Sequence, residues 1–89
     1  MIVQYEEQLL ELIDQQVATA SDDELFAGGY LRGHISLSAA ECEANEITDF
    51  DAFTQKIVQS LHDAKSELTP ADQIIVNDIW LDLVAKVSA

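Results

Sequence analysis

The segment Gly28-Gly29-Tyr30-Leu31-Arg32-Gly33-His34 holds all three glycines, the only arginine and one of the two histidines of the chain. A guanidinium, an imidazole and a phenol that converge on one concavity can bind an anion and move protons on it. Arg32, Tyr30 and His34 are therefore the candidate anion or small-ligand site, and an enzymatic use would extend that reading. The glycines do not make a phosphate loop: no strand precedes them and no Gly-Lys-Ser/Thr follows. Packing explains the same residues more simply. In a continuous helix Gly29, Gly33, Ser36 and Ala40 share a small-residue face, along which a neighbouring backbone can approach closely. Arg32 is then a structural cation, paired with Glu43 or with a carboxylate of Asp22-Asp23-Glu24.

Other chemistry is thinner. Neither His34 nor His62 has a second ligand at the helical spacing of a Glu-x-x-His pair, so no metal site is expected. Glu41, Glu43, Glu46, Asp49 and Asp51 crowd one connection, but the Asp-x-Asp-x-Asp-Gly calcium pattern is missing. They read as a solvated acidic loop. Cys42 projects near Leu31, Ile35 and Ser38 and reads as a small core residue, without the electropositive surroundings of a reactive thiolate. No serine–histidine–acid order stands out, and no cofactor is indicated.

These residues must be positioned by helices. Tyr5, Leu9, Leu12, Ile13 and Val17 recur at helical spacing from about Ile2 to Ala20. Ser21-Asp22-Asp23-Glu24 is a capping box that starts a second helix, from Asp22 to about Asn45. Gly28-Gly29 sits inside it, and two adjacent glycines weaken a helix by about 1 kcal/mol each, so a kink or a break is expected there. Thr48 or Asp49 caps a third helix that runs to about Glu67, with Phe50, Phe53, Ile57, Leu61, Ala64 and Leu68 on one face. Thr69-Pro70 starts the fourth, which continues to about Val87. Its apolar residues exceed one face: Val76, Ile79, Trp80, Leu83, Val84 and Val87 cluster, while Ile74, Ile75 and Leu81 fall outside. Short connections favour antiparallel neighbours. The expected architecture is all-α, a single helical domain over residues 1–89 closed as an antiparallel four-helix bundle.

Composition narrows the function. The chain has 89 residues, 48% of them hydrophobic, which suits one small globular core. Seventeen acidic residues against four basic ones give a formal net charge of −13. That argues against nucleic-acid binding and against docking on anionic lipid, both of which need positive surface. A single cysteine excludes an internal disulfide and fits a reducing compartment. The opening Met1-Ile2-Val3-Gln4-Tyr5-Glu6-Glu7 has no positive region and no long apolar run, so cytoplasmic residence is expected, with no membrane span.

The strings Ala20-Ser21-Asp22-Asp23-Glu24-Leu25-Phe26-Ala27 and Gly29-Tyr30-Leu31-Arg32-Gly33-His34 resemble the YfcL family of small bacterial proteins. The resemblance extends to Leu12-Ile13-Asp14, to Leu68-Thr69-Pro70 with Asp72-Gln73, and to Val76, Asp78 and Trp80. It is weakest over residues 43–50. It implies a small cytoplasmic helical protein and supplies no activity, substrate or catalytic residue.

The expectation is therefore a noncatalytic cytosolic module, not an enzyme, that binds a protein partner or a second copy of itself. The over-wide apolar surface of the last helix makes Trp80, Leu81 and Ile75 the candidate contact. The alternative is the small-ligand or anion site at the Gly28–His34 bend.

Overall fold

The computed structural model describes residues 2–88 and is all-helical, with no strand among them. Helix α1 spans Ile2–Gln16 and ends in a 3-10 turn, Val17–Thr19. Helices α2, α3 and α4 span Asp22–Ala44, Phe50–Asp63 and Pro70–Ser88, and a 3-10 turn at Lys65–Glu67 follows α3.

The start signals act as their chemistry requires. Ser21 Oγ accepts from the Glu24 amide at 3.2 Å, and the Glu24 carboxylate accepts from the Ser21 amide at 3.0 Å. Asp49 Oδ2 caps α3 by accepting from the Ala52 amide at 3.1 Å, and Thr69 Oγ1 accepts from the Asp72 amide at 3.2 Å. Each cap satisfies an amide that the first helical turn leaves without a partner. The end of α2 closes with Glu46 in the left-handed region, φ 59°. There the Ile47 amide donates to Cys42 O at 2.8 Å and the Glu46 amide to Glu43 O at 3.2 Å. This is the Schellman arrangement, with glutamate where glycine is usual.

Helix α2 is the hub. It packs closely against α1, α3 and α4, and α1 also packs against α4. Its buried residues are Ala27, Gly28, Leu31, Ile35, Ser38, Ala39 and Cys42. They fall within roughly 120° of the helix circumference. Against them sit Leu9 and Ile13 from α1, Phe53 and Ile57 from α3, and Val76, Trp80 and Leu83 from α4. Burying one such large side chain stabilises the fold by about 1.5–3 kcal/mol. The Tyr5 and Phe50 rings, 4.6 Å apart, join the beginnings of α1 and α3.

Two expectations about the glycines change. Of the kink or break expected in the second helix, the break is absent: α2 runs unbroken through Gly28-Gly29, and no glycine has a positive φ. The close approach is also not along Gly29, Gly33, Ser36 and Ala40, which all face solvent. It occurs at Gly28, where a Cβ would lie 3.1 Å from Ile13 Cγ2. At Gly29 and Gly33 a Cβ would meet nothing within 4 Å.

Alanine should therefore separate the three glycines in urea unfolding at low protein concentration. Gly29→Ala and Gly33→Ala are each expected to raise stability by about 0.5–1 kcal/mol. Gly28→Ala should gain clearly less, or lose, because the Ile13 methyl must move. Acid gives a second check. The Ser21 amide, then its hydroxyl, holds the Glu24 carboxyl below the usual carboxylate range. A lowered carboxyl contributes stability above its unfolded pKa, and this is lost as pH falls through the folded value. The stability difference between wild type and Glu24→Gln should shrink over that window.

Candidate functional site

Successive residues on a helix turn by about 100°, so Tyr30 and His34 share one side of α2 and Arg32 points to the other. The structure shows this division. Arg32 Nη1 donates to Asp14 Oδ1 of α1 at 3.0 Å, and both side chains stay partly exposed. Its partner is thus Asp14, not the expected Glu43 or a carboxylate of the capping box. The Tyr30 and His34 rings lie 4.6 Å apart, and Phe26 stacks on Tyr30 at 6.1 Å. The three candidate ligand residues line three separate depressions: Tyr30 a groove beside α3 and α4, His34 a polar hollow beside α3, and Arg32 a small recess beside α1. They do not converge on one concavity.

Helix packing brings together a pair that the sequence does not announce. His34 Nδ1 and Ser60 Oγ share a hydrogen bond at 2.6 Å, across 26 residues of chain. The hollow around them, about 290 Å³, is also lined by Glu41, Asp63 and Glu67, with Lys56 paired to Glu41 at 3.0 Å. A serine nucleophile needs more than a base: it needs amide donors aimed at the developing oxyanion. Ser60 lies inside α3, where the local amides are used in helical bonds. The hydrogen bond is well placed to fix α3 against α2. No group of three or more His, Cys, Asp or Glu side chains that could hold a metal is found among the described residues. No helix among them is long and apolar enough to cross a membrane.

Two buried polar groups shape the local chemistry. The Tyr30 hydroxyl is shielded from water and has no hydrogen-bond partner. Burial, and then the charge of Glu67, push its pKa up. Cys42 is a free, buried thiol, as expected of a core residue. Burial pushes its pKa up, Lys56 pulls it down and Glu41 adds to the rise, so the thiolate is disfavoured.

On α4 the expected contact residues separate. Trp80 is only 3% exposed and belongs to the core, reaching solvent only as part of a groove wall, so it is not a protruding contact residue. Ile75 is half-buried against that core. Leu81 is 58% exposed and Ile74 63%. The excess apolarity of α4 is thus partly absorbed by α2 and partly left outside.

A solvent-facing stripe lies on α2, opposite its buried arc. Phe26, Gly29, Gly33, Ser36, Leu37, Ala40 and Ala44 are all exposed there. They fall within roughly 100° of the circumference. From Phe26 to Ala44 this stripe contains no charged residue.

The family model described as YfcL protein matches residues 3–85. The chain belongs to the YfcL family. It is 46% identical over 90 residues to the protein named "Uncharacterized protein YfcL" of Escherichia coli (strain K12), an alignment that covers 99% of this chain and 98% of that relative. No solved structure matches it. The family resemblance read along the sequence is thus shown over nearly the whole chain, and it brings no activity with it.

The two hydroxyls facing away from Arg32 should respond oppositely to deletion. Tyr30→Phe removes an unpartnered buried group and should leave stability unchanged or raise it by up to about 1 kcal/mol. Ser60→Ala removes a bond to His34 and should cost about 0.5–1.5 kcal/mol. Urea midpoints of the two variants at neutral pH check the sign of each.

Proposed function

We propose that this chain is a noncatalytic binding module that associates with a second copy of itself through the outward stripe of α2. The observation that carries the reading is the uncharged stripe itself, on the back of the hub helix. Leu37 in it is 55% exposed, and Phe26 lies one turn from Gly29. Exposed glycines inside a helix each cost about 1 kcal/mol relative to alanine. Gly29 and Gly33 have no neighbour in the chain that needs the missing side chain. A second helix laid along them would use the absence of Cβ for close backbone approach.

Charge favours a second copy over a basic protein. A basic partner recognises carboxylates, and this stripe has none beyond the first turn of α2. Two copies meeting along it keep their carboxylates out of the contact, although their net charges of −13 still repel at a distance. The remaining parts of the reading are an antiparallel up-down closure of the four helices and residence in the cytoplasm, which the free Cys42 and the acidic surface suit. Dispersion of the ligand candidates over three depressions speaks against the anion site at the bend.

Sedimentation equilibrium tests the association. A wild-type dimer is expected, strengthened by added salt because screening weakens repulsion between the acidic copies. Gly33→Glu and Leu37→Glu should both sediment as monomers with unchanged helix content. Wild type that remains monomeric at high concentration and high salt overturns the proposal.

A further inference from the structure

Helices α3 and α4 follow each other in the chain, yet the close helix pairs run through α2 and α1 instead. Between α3 and α4 lies a groove of about 550 Å³. That is within the range of roughly 300–1,000 Å³ typical of small-ligand sites. Leu61, Leu68, Val76 and Trp80 give it apolar walls, and Val58 and Ile74 stand exposed along it. None of Gly29, Gly33 and Leu37 lines it, so it is a different surface from the α2 stripe.

Its charge is opposite to that of the molecule. The chain carries seventeen carboxylate side chains, but no Asp or Glu lines this groove. The ionisable side chains in its lining besides Tyr30 are His62 and Lys65. Among the described residues, Lys65 is the one lysine or arginine outside an ion pair, since Arg32, Lys56 and Lys86 are bound to Asp14, Glu41 and Asp82. An apolar trough with an unpaired ammonium and an imidazole suits a ligand with an apolar body and one anionic end. A cationic head would meet Lys65 and no compensating carboxylate in the lining. Glu67 is not part of the lining, although its charge acts on the Tyr30 hydroxyl.

We propose that the α3–α4 groove binds a monocarboxylate with an extended apolar body, which lies along Leu61, Val76 and Trp80 with its carboxylate at Lys65. Trp80 is the only tryptophan, so its fluorescence reports the groove directly. Decanoate, below its micelle concentration, is the probe, with decanol and decyltrimethylammonium as head-group controls. Decanoate should change the Trp80 emission saturably and shift the methyl resonances of Val58, Leu61 and Ile74. Decanol should bind more weakly and the ammonium compound weakest. Lys65→Gln, at an exposed position, should weaken decanoate about threefold to tenfold. Ile74→Glu, also exposed, should weaken it more than tenfold while the fold is retained by circular dichroism. Absence of saturable binding overturns the proposal. So does equal binding of all three head groups, or methyl shifts confined to another face. Groove signals that follow protein concentration and molecular mass, without ligand, would assign the groove to a second copy and overturn it equally.

Discussion

The apolar arc of α2, from Ala27 to Cys42, is the surface on which α1, α3 and α4 each bury their own stripes. Burial there must outweigh the mutual repulsion of a chain with net charge −13. The ion pairs seen on the surface cannot do this. Arg32–Asp14, Lys56–Glu41 and Lys86–Asp82 are all substantially exposed. Exposed pairs contribute about 1 kcal/mol at most. The small residues within the arc set how closely the other helices come. Gly28 admits the Ile13 methyl, and the small Ala27 and Ala39 flank the larger Leu31 and Ile35 along the arc.

Making one helix the hub has consequences at the periphery. A helix surrounded on three sides presents its remaining side to solvent, and on α2 the stripe from Phe26 to Ala44 on that side carries no charge, with Glu43 at its edge. Helices that each lean on the hub need not lean on one another. This leaves the groove between α3 and α4, with Tyr30 of α2 and Trp80 of α4 in its lining. The Tyr30 hydroxyl, without a partner, is a local cost of that arrangement. Both surfaces proposed for recognition therefore follow from the same packing choice, and both differ from its acidic exterior.

Much of this was legible before any coordinates. Ser21, Asp49 and Thr69 announce three helix starts, because a side-chain oxygen at a cap acts on an amide only three residues away. The apolar face of α3 was readable for a similar reason, periodicity being local; on α1 it holds at Leu9 and Ile13 but not at Val17, which is 51% exposed. The faces of α2 were not readable. Its small residues occupy two opposite sides, Ala27, Gly28 and Ala39 on one and Gly29, Gly33 and Ala40 on the other. Nothing in the spacing says which side meets a neighbour within the chain; packing puts the Gly28 side there and leaves the Gly29 side in solvent. The excess apolarity of α4 was visible, but the burial of Trp80 among those residues was not.

The sequence by itself determined the helical class, the element boundaries to within a few residues, and the sign of the protein's field. These depend on interactions between residues a turn or less apart, or on a simple sum of charges. Only the tertiary structure decided that Arg32 meets Asp14, that His34 meets Ser60, and that Tyr30, Arg32 and His34 open onto different depressions. Those contacts depend on which helix lies against which and at what rotation. That choice comes from the packing of whole faces, where each residue's preference is small and the sum over many decides.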